Sequence, residues 1–459
     1  MLASGAERQV CEGRLLETGL SPTAGTNMDL QQSRAASRYS CSRKLVSNFE
    51  VGEQVLGRGG SATVRAARRR HDGKLCAVKS LVFRSLSQTQ MADLRNEIEL
   101  YLTLDHPHIA HLEHVYETQK QLHIVMECLA GGELSNRILA SEKFSEEEAS
   151  ETMRMVFLAV SYLHYHRVAH RDLKPENFVY ASEERDHLKL IDFGLSCRFT
   201  ENTPMRRACG TTGYTAPEVL SSRSYTNSAD LWSAGVIAHI LLTGEYPLPS
   251  CPFAAMRELN SSKPWASSRF TCLSPDAQDF VKSLLVISPT QRLTASAALR
   301  HPWLSRAPVA IDNSVLQSLR RLARVSASDR LLAMRCTSWS ESGKAARDQF
   351  LALSGEEGVL TFDGVVRALN LEDARSRLEV EAVFLTLGEA GEISYSAFNA
   401  AAMLSSAGNS ADVEDLSVFG QFETCEAACT VAKQPTWTTC RTSMLGHGAL
   451  LLRVLPRIC

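Results

Sequence analysis

Eight residues between two apolar runs, His170-Arg171-Asp172-Leu173-Lys174-Pro175-Glu176-Asn177, hold five charged or ionisable side chains and an amide. Loops are where a rigid scaffold displays reactive groups. A carboxylate, an ammonium and an amide kept this close suit a reaction that brings together a hydroxyl, a phosphate and a metal. Asp172 is placed to accept the proton of an attacking hydroxyl and Lys174 to neutralise a migrating phosphoryl group. Asn177, with Asp192 of Ile191-Asp192-Phe193-Gly194, can hold Mg2+ through hard oxygen atoms.

Upstream, the stretch from Leu56 to Val64 lies between two predicted strands. Its Gly57 and Gly59 permit a tight turn whose amides approach phosphate with no side chain in the way. In Cys76-Ala77-Val78-Lys79 a lysine sits on a strand, and the following helix offers Glu97 as an ion-pair partner that would aim the ammonium at a phosphate. Singly, each feature has a plain structural reading: hairpin glycines, a solvated lysine, a core-facing His170, a turn residue at Asp192. In the order glycine loop, strand lysine, helix glutamate, His170–Asn177, Asp192-Phe193-Gly194 and Ala216-Pro217-Glu218, chance is no competitor.

The elements that carry these groups follow from periodicity. From Phe49 short alternating runs with glycine punctuation predict successive antiparallel strands. Leu94, Ile98 and Leu102 mark a helix that stops at His106-Pro107, and strand-like runs follow around residues 111–117 and 121–127. Beyond residue 131 the text turns helical. Ser145 with acids behind it forms a capping box, and residues 230–244 are apolar almost all round and so central. A sheet-rich small lobe followed by a helical large lobe is expected.

Residues 49–304 resemble the eukaryotic protein kinases. The resemblance implies an α+β bilobal fold, an antiparallel-sheet N-lobe and a helical C-lobe, with ATP and Mg2+ in the cleft. It implies Leu56, Val64, Ala77 and Val179 about the adenine, Met126 as gatekeeper, and Glu127 and Cys128 as the hinge. Residues 173–177, and Gly210-Thr211-Thr212-Gly213 in the substrate-binding loop, match the serine/threonine branch. Glu218 should pair with Arg292, and Asp230 should brace the catalytic loop. Glu133 and Glu176 match positions that face arginines N-terminal to the phosphorylated residue, so arginine three residues before the acceptor is expected, with self-sites at Ser37 and Ser338. Two departures stand out: Ala62 replaces the third loop glycine, and Arg206 and Arg207 occupy the activation segment. Phosphate on Thr200 or Thr203 is expected to order that segment by pairing with arginines.

After Trp303, Val315, Leu316, Leu319 and Leu322 share one helical face, with Arg320, Arg321 and Arg324 elsewhere. Such a helix could fill the substrate groove as an autoinhibitory element, dock a partner, or cap the large lobe. Two later stretches, 347–369 and 380–402, are similar to each other and look like an EF-hand pair without calcium chemistry. Counted from Gly358 and Gly391, the position that needs a bidentate glutamate falls on Gly364 and Ala397, so calcium binding is not expected. Kinase, basic helix and EF-hands in that order resemble the calcium-dependent protein kinases of the calmodulin-dependent kinase group. The expected layout is a mobile extension (1–48), the kinase (49–304), a junction helix (305–338), a degenerate all-α EF-hand pair (339–405) and a tail (406–459).

Composition agrees with a globular chain: 459 residues, 44% hydrophobic, 22% charged, net charge -2. That charge offers no global attraction to nucleic acid, and the basic run from Arg65 to Lys74 reads as a solvated hairpin rather than a nucleic-acid patch. No apolar run is long enough to span a membrane. Thirteen cysteines are scattered without paired spacing, as in a reducing cytoplasm, and Cys425, Cys429, Cys440 and His447 fit no common zinc pattern. The function expected is a cytoplasmic serine/threonine kinase acting on protein substrates. A pseudokinase scaffold and a calcium-sensing binding protein are the alternatives.

Overall fold

The computed structural model describes residues 38–40, 44–58, 62–140, 144–200, 203–221, 224–247, 265–306, 309, 311–312, 314–337 and 344–406. One six-stranded sheet makes the N-lobe. Strands β1 (Tyr39–Ser40), β2 (Phe49–Arg58), β3 (Ala62–Arg69), β4 (Leu75–Val82), β5 (Leu112–Glu117) and β6 (Gln121–Glu127) lie in the order β1-β5-β6-β4-β3-β2. Every pairing is antiparallel except β1 with β5. Helix α1 (Gln88–Thr103) joins β4 to β5 and starts at a capping box in which Ser87 and Gln90 satisfy each other's backbone N–H. Its inner face, Leu94, Glu97, Ile98, Tyr101 and Leu102, is buried at the three- and four-residue spacing of a helix packed on one side.

Of the stretch that reads as a mobile extension, the described residues 38–40 and 44–48 are ordered. Tyr39–Ser40 adds a parallel edge strand to β5, Arg38 donates to the carbonyls of Leu102 and Leu112, and Leu45 packs beside Phe49. These ordered pieces are two to four residues long, too short for periodicity to reveal. The Arg65–Lys74 run is indeed a hairpin, but not a wholly solvated one. Arg69 is buried and paired with Asp72 and Glu113, and burial pushes the Glu113 carboxyl up to about 7.

Four helices frame the C-lobe: α2 (Leu134–Ala140), α3 (Glu146–Tyr165), α4 (Ser228–Thr243) and α5 (Pro275–Leu284). Ser145 and Glu148 cap α3. Every residue of α4 is buried, as its apolar surround requires, and Gly244 ends it in the left-handed region at φ 73°. Two small ribbons, β7 (Val168–Ala169) with β10 (Cys197–Arg198) and β8 (Phe178–Tyr180) with β9 (Leu188–Leu190), are antiparallel. The chemical loops hang between them: 170–177 joins β7 to β8, and 191–196 joins β9 to β10.

A second core gathers α6 (Ser314–Arg324), α7 (Ala327–Thr337), α8 (Lys344–Ser354), α9 (Phe362–Ala368), α10 (Ala374–Leu387) and α11 (Tyr395–Ser406). The turns before α9 and α11 pair through β11 (Leu360–Thr361) and β12 (Glu392–Ile393), with Leu360 opposite Ile393. Leu316, Leu319 and Leu322 of α6 are buried with Phe350, Val383, Phe384 and Phe398. The basic helix therefore fills neither the substrate groove nor a face of the large lobe. Two helix–turn–helix units present an apolar interior that neither can bury alone, and α6 completes it. This assembly rests on the kinase lobes: Val359 joins the main core, Gly358 (φ 69°) lies against His106 and Tyr162, and Ser396 N donates to Asp105 Oδ2 at 3.2 Å.

Candidate active site

Sheet register brings the cleft residues into rows. Gly57, Val64, Lys79 and Ile124 pair in succession across β2, β3, β4 and β6, and Ala77 pairs with Met126 beside them. Lys79 Nζ lies 2.9 Å from Glu97 Oε1 and 3.0 Å from Asp192 Oδ1. Burial works against its ammonium, yet the two facing carboxylates hold its pKa above the ordinary lysine value. Lys79 in turn holds Asp192 below the usual carboxylate range, against the effect of burial. Phe193 anchors Asp192 from behind, its ring 4.9 Å from Tyr101 and 5.4 Å from His170 between centroids.

Arg171 and Asp192 have φ of 67° and 63°, a left-handed backbone that costs a residue with a side chain about 1–2 kcal/mol. Such strain persists only where neighbours impose it. Asp230 does so for Arg171. Only 1% exposed, it accepts from His170 N at 2.9 Å, Arg171 N at 2.8 Å and His164 Nε2 at 2.9 Å. Burial disfavours its charge, but His164 and these donors hold the carboxyl below its usual pKa. Glu218 and Arg292 form a buried two-pronged pair at 2.6 and 2.8 Å that closes the base of the lobe.

Within the loop the expected reactive groups converge. Lys174 Nζ is 2.9 Å from Asp172 Oδ2, and Thr211 Oγ1 donates to Asp172 Oδ1 at 2.6 Å while accepting from Lys174 at 2.9 Å. Asn177 Nδ2 donates to the Asp172 carbonyl at 2.8 Å. With its nitrogen so committed, the amide turns its oxygen to the remaining side, which suits a hard cation shared with Asp192. The donor set therefore fits Mg2+.

Around the expected nucleotide pocket, Leu56 is exposed, Val64 and Val179 are half-buried and Ala77 is buried. Glu127 accepts both from Lys189 Nζ, at 2.7 Å to each carboxylate oxygen, and from His111 N at 2.6 Å. Burial raises the Cys128 thiol pKa, so it stands as a neutral group just after β6. Glu133 and Glu176 are exposed on the rim, and Glu133 pairs in the backbone with Val179. Gly59, Ser37, Ser338 and the tail cysteines lie outside the described residues.

Three contacts escaped the sequence reading. Lys189 ties the C-lobe to Glu127 at the end of β6, and its signal is a lone polar residue in the apolar run Leu188–Ile191. Thr211 touches Asp172 itself. Arg207 of the activation segment pairs with Asp93 of α1, which no local spacing announces. Among the described residues there is no cluster of three metal-ligating side chains and no helix long and apolar enough to cross a membrane.

A family model for the protein kinase domain matches residues 50–304, more than half of the chain. A probable myosin light chain kinase of Dictyostelium discoideum is 37% identical over 278 residues, which is 60% of this chain and 88% of that protein. The human calcium/calmodulin-dependent protein kinase type IV is 37% identical over 267 residues, 57% of this chain and 56% of that kinase. The type 1 enzyme of Macrobrachium nipponense is 36% identical over 280 residues, 59% of this chain and 79% of that kinase. The chain belongs to the protein kinase family, among the serine/threonine kinases of the calcium/calmodulin-dependent group.

Proposed function

We propose that the chain transfers the γ-phosphoryl group of ATP to serine or threonine in proteins, with arginine preferred three residues before the acceptor. The observation that carries this reading is Lys79 gripping Glu97 and Asp192 together while Asp172, Lys174 and Thr211 meet on the opposite lobe. Lys79 orients the nucleotide phosphates, and Glu97 keeps that ammonium from swinging away. Asp172 orients the substrate hydroxyl and takes its proton as the oxygen–phosphorus bond forms and the bond to ADP breaks. Lys174 offsets charge on the group in transit, and Thr211 fixes the Asp172 carboxylate. Asn177 and Asp192 would hold Mg2+, which screens the phosphate charge. Leu56, Gly57, Gly59, Val64, Ala77, Met126, Glu127, Cys128 and Val179 would enclose the nucleotide. The exposed carboxylates of Glu133 and Glu176 supply the attraction for a guanidinium.

The C-terminal helices are read as a degenerate EF-hand pair that works without calcium. The antiparallel Leu360–Ile393 pairing supports the EF-hand architecture, and Gly364 and Ala397 where a bidentate carboxylate is needed support its independence of calcium. Because α6 is covered by these helices, the kinase cleft keeps no built-in occupant from that helix, and activity without calcium follows. A pseudokinase scaffold is the second reading. It is disfavoured by the filled lysine, base and metal positions. Phosphate transfer from Mg·ATP to an arginine-containing serine peptide, beside an Asp172→Asn control, tests the proposal. Equal incorporation by both chains would reject it.

A further inference from the structure

We propose that Arg207 is a positioning residue that latches the activation segment to helix α1, holding Glu97 on Lys79 with no phosphate in that segment. The proposal rests on the phosphoryl-transfer reading above. Arg207 Nη1 lies 2.9 and 2.8 Å from the two carboxylate oxygens of Asp93, one helical turn ahead of Glu97. Asn96, the residue before Glu97, donates to the Ser196 carbonyl at 3.1 Å, a second tie between α1 and the start of the same segment. Around Arg207 itself the segment is pinned by neutral groups. Met205 and Tyr225 exchange two backbone hydrogen bonds of 2.9 Å, and the Tyr225 hydroxyl donates to the Arg207 carbonyl at 2.6 Å.

Arg171 is the cation an activating phosphate would address. Its Nε donates to the Leu195 carbonyl at 2.6 Å and its Nη1 to the Tyr225 hydroxyl at 3.4 Å. Two of the arginines that could pair with phosphate on Thr200 or Thr203 therefore have other work: Arg171 seats on neutral oxygens, and Arg207 reaches the carboxylate on α1. An arginine on the segment and an acid on the helix do what a phosphate on the segment and an arginine would do, with the charges reversed. Arg207 is 57% and Asp93 37% exposed, so the latch is modest and salt-sensitive.

The test uses the full chain after phosphatase treatment, with peptide kinetics in low and high salt. Arg207→Ala and Asp93→Ala should each lower kcat about two- to five-fold, the range of a solvent-exposed ion pair. The peptide KM and the unfolding midpoint should stay unchanged, and the loss should shrink in high salt. The swap Arg207→Asp with Asp93→Arg should restore kcat, a rescue that a merely structural effect of either side chain would not produce. Thr200→Ala with Thr203→Ala should leave activity intact. Wild-type kcat in both single variants, or no rescue in the swap, overturns the latch. A dephosphorylated wild type that is silent until Thr200 or Thr203 is phosphorylated also overturns it, yet leaves the kinase reading standing. Silence in every state rejects that reading as well.

Discussion

Replacing Asp230 by Asn keeps the size and shape of the side chain and removes one acceptor. In the wild type the two carboxylate oxygens take three hydrogen bonds, from His170 N, Arg171 N and His164 Nε2, at 2.8–2.9 Å in a site 1% exposed. An asparagine offers one oxygen, and its NH2 group must then face a backbone N–H or the imidazole. At least one bond to a charged acceptor is lost, worth about 1.5–3 kcal/mol, and a buried donor is left without a partner at about 1–3 kcal/mol. The lower part of that combined range, about 3 kcal/mol, sets the expected loss. At about 2–4 °C per kcal/mol for a lobe of this size, the unfolding midpoint should fall by roughly 6–12 °C. The left-handed Arg171 backbone is held by this same carboxylate, so the loop carrying Asp172 should relax. If the whole 3 kcal/mol is felt in the transition state, kcat falls by about 100-fold. The ATP KM should hardly move, because the Lys79 side of the cleft is untouched. Steady-state kinetics and thermal unfolding of Asp230→Asn read both effects. An unchanged midpoint with kcat within two-fold of wild type would refute the bracing role.

Removing the ammonium in Lys79→Met leaves the Glu97 and Asp192 carboxylates facing each other without a cation, and phosphate transfer should fall at least about 100-fold while circular dichroism stays native. Gly358→Val adds a side chain at φ 69°, its Cβ 2.9 Å from His106 Nε2, and should loosen the C-terminal helices. Faster proteolysis around residues 344–406 is the readout, and native protection would contradict the docking. Burial pushes the imidazoles of His166 and His108 down to about 4 and about 3. Because these folded values lie below the ordinary histidine value of about 6.5, the stability they lend is complete above that pH and drains as pH falls through about 4 and then about 3. Urea unfolding between pH 7.5 and 4.5 should show a decline that His166→Gln flattens; identical slopes would count against it.

Motif order singled out the residues proposed for phosphoryl transfer because that chemistry needs particular side chains at particular places along the chain. Lys79, Glu97, Asp172 and Asp192 were readable, and so were α3 and α4, whose caps and periodicity are local. What stayed hidden depends on distant segments meeting. The Arg207–Asp93 pair joins residues 114 positions apart, and the Glu127–Lys189 pair joins residues 62 apart. The fate of α6 was hidden for another reason. Its amphipathic pattern names an apolar face but not the surface that covers it, so the substrate groove, a docked partner and the large lobe all stay open. Strand β1 failed on length, since two residues carry no period. The same limit applies to β7 and β10, whose pairing suspends the His170–Asn177 loop.

The most direct test of the central claim is phosphate transfer from Mg·ATP to a serine peptide with arginine three residues before the acceptor, by the purified full chain, in calcium and in chelator, beside Asp172→Asn. Transfer that is equal in both conditions and abolished in Asp172→Asn is the predicted result. Transfer only with calcium would contradict the reading of the C-terminal helices, and no transfer in either condition would contradict the assignment of Lys79, Asp172 and Lys174 as working machinery.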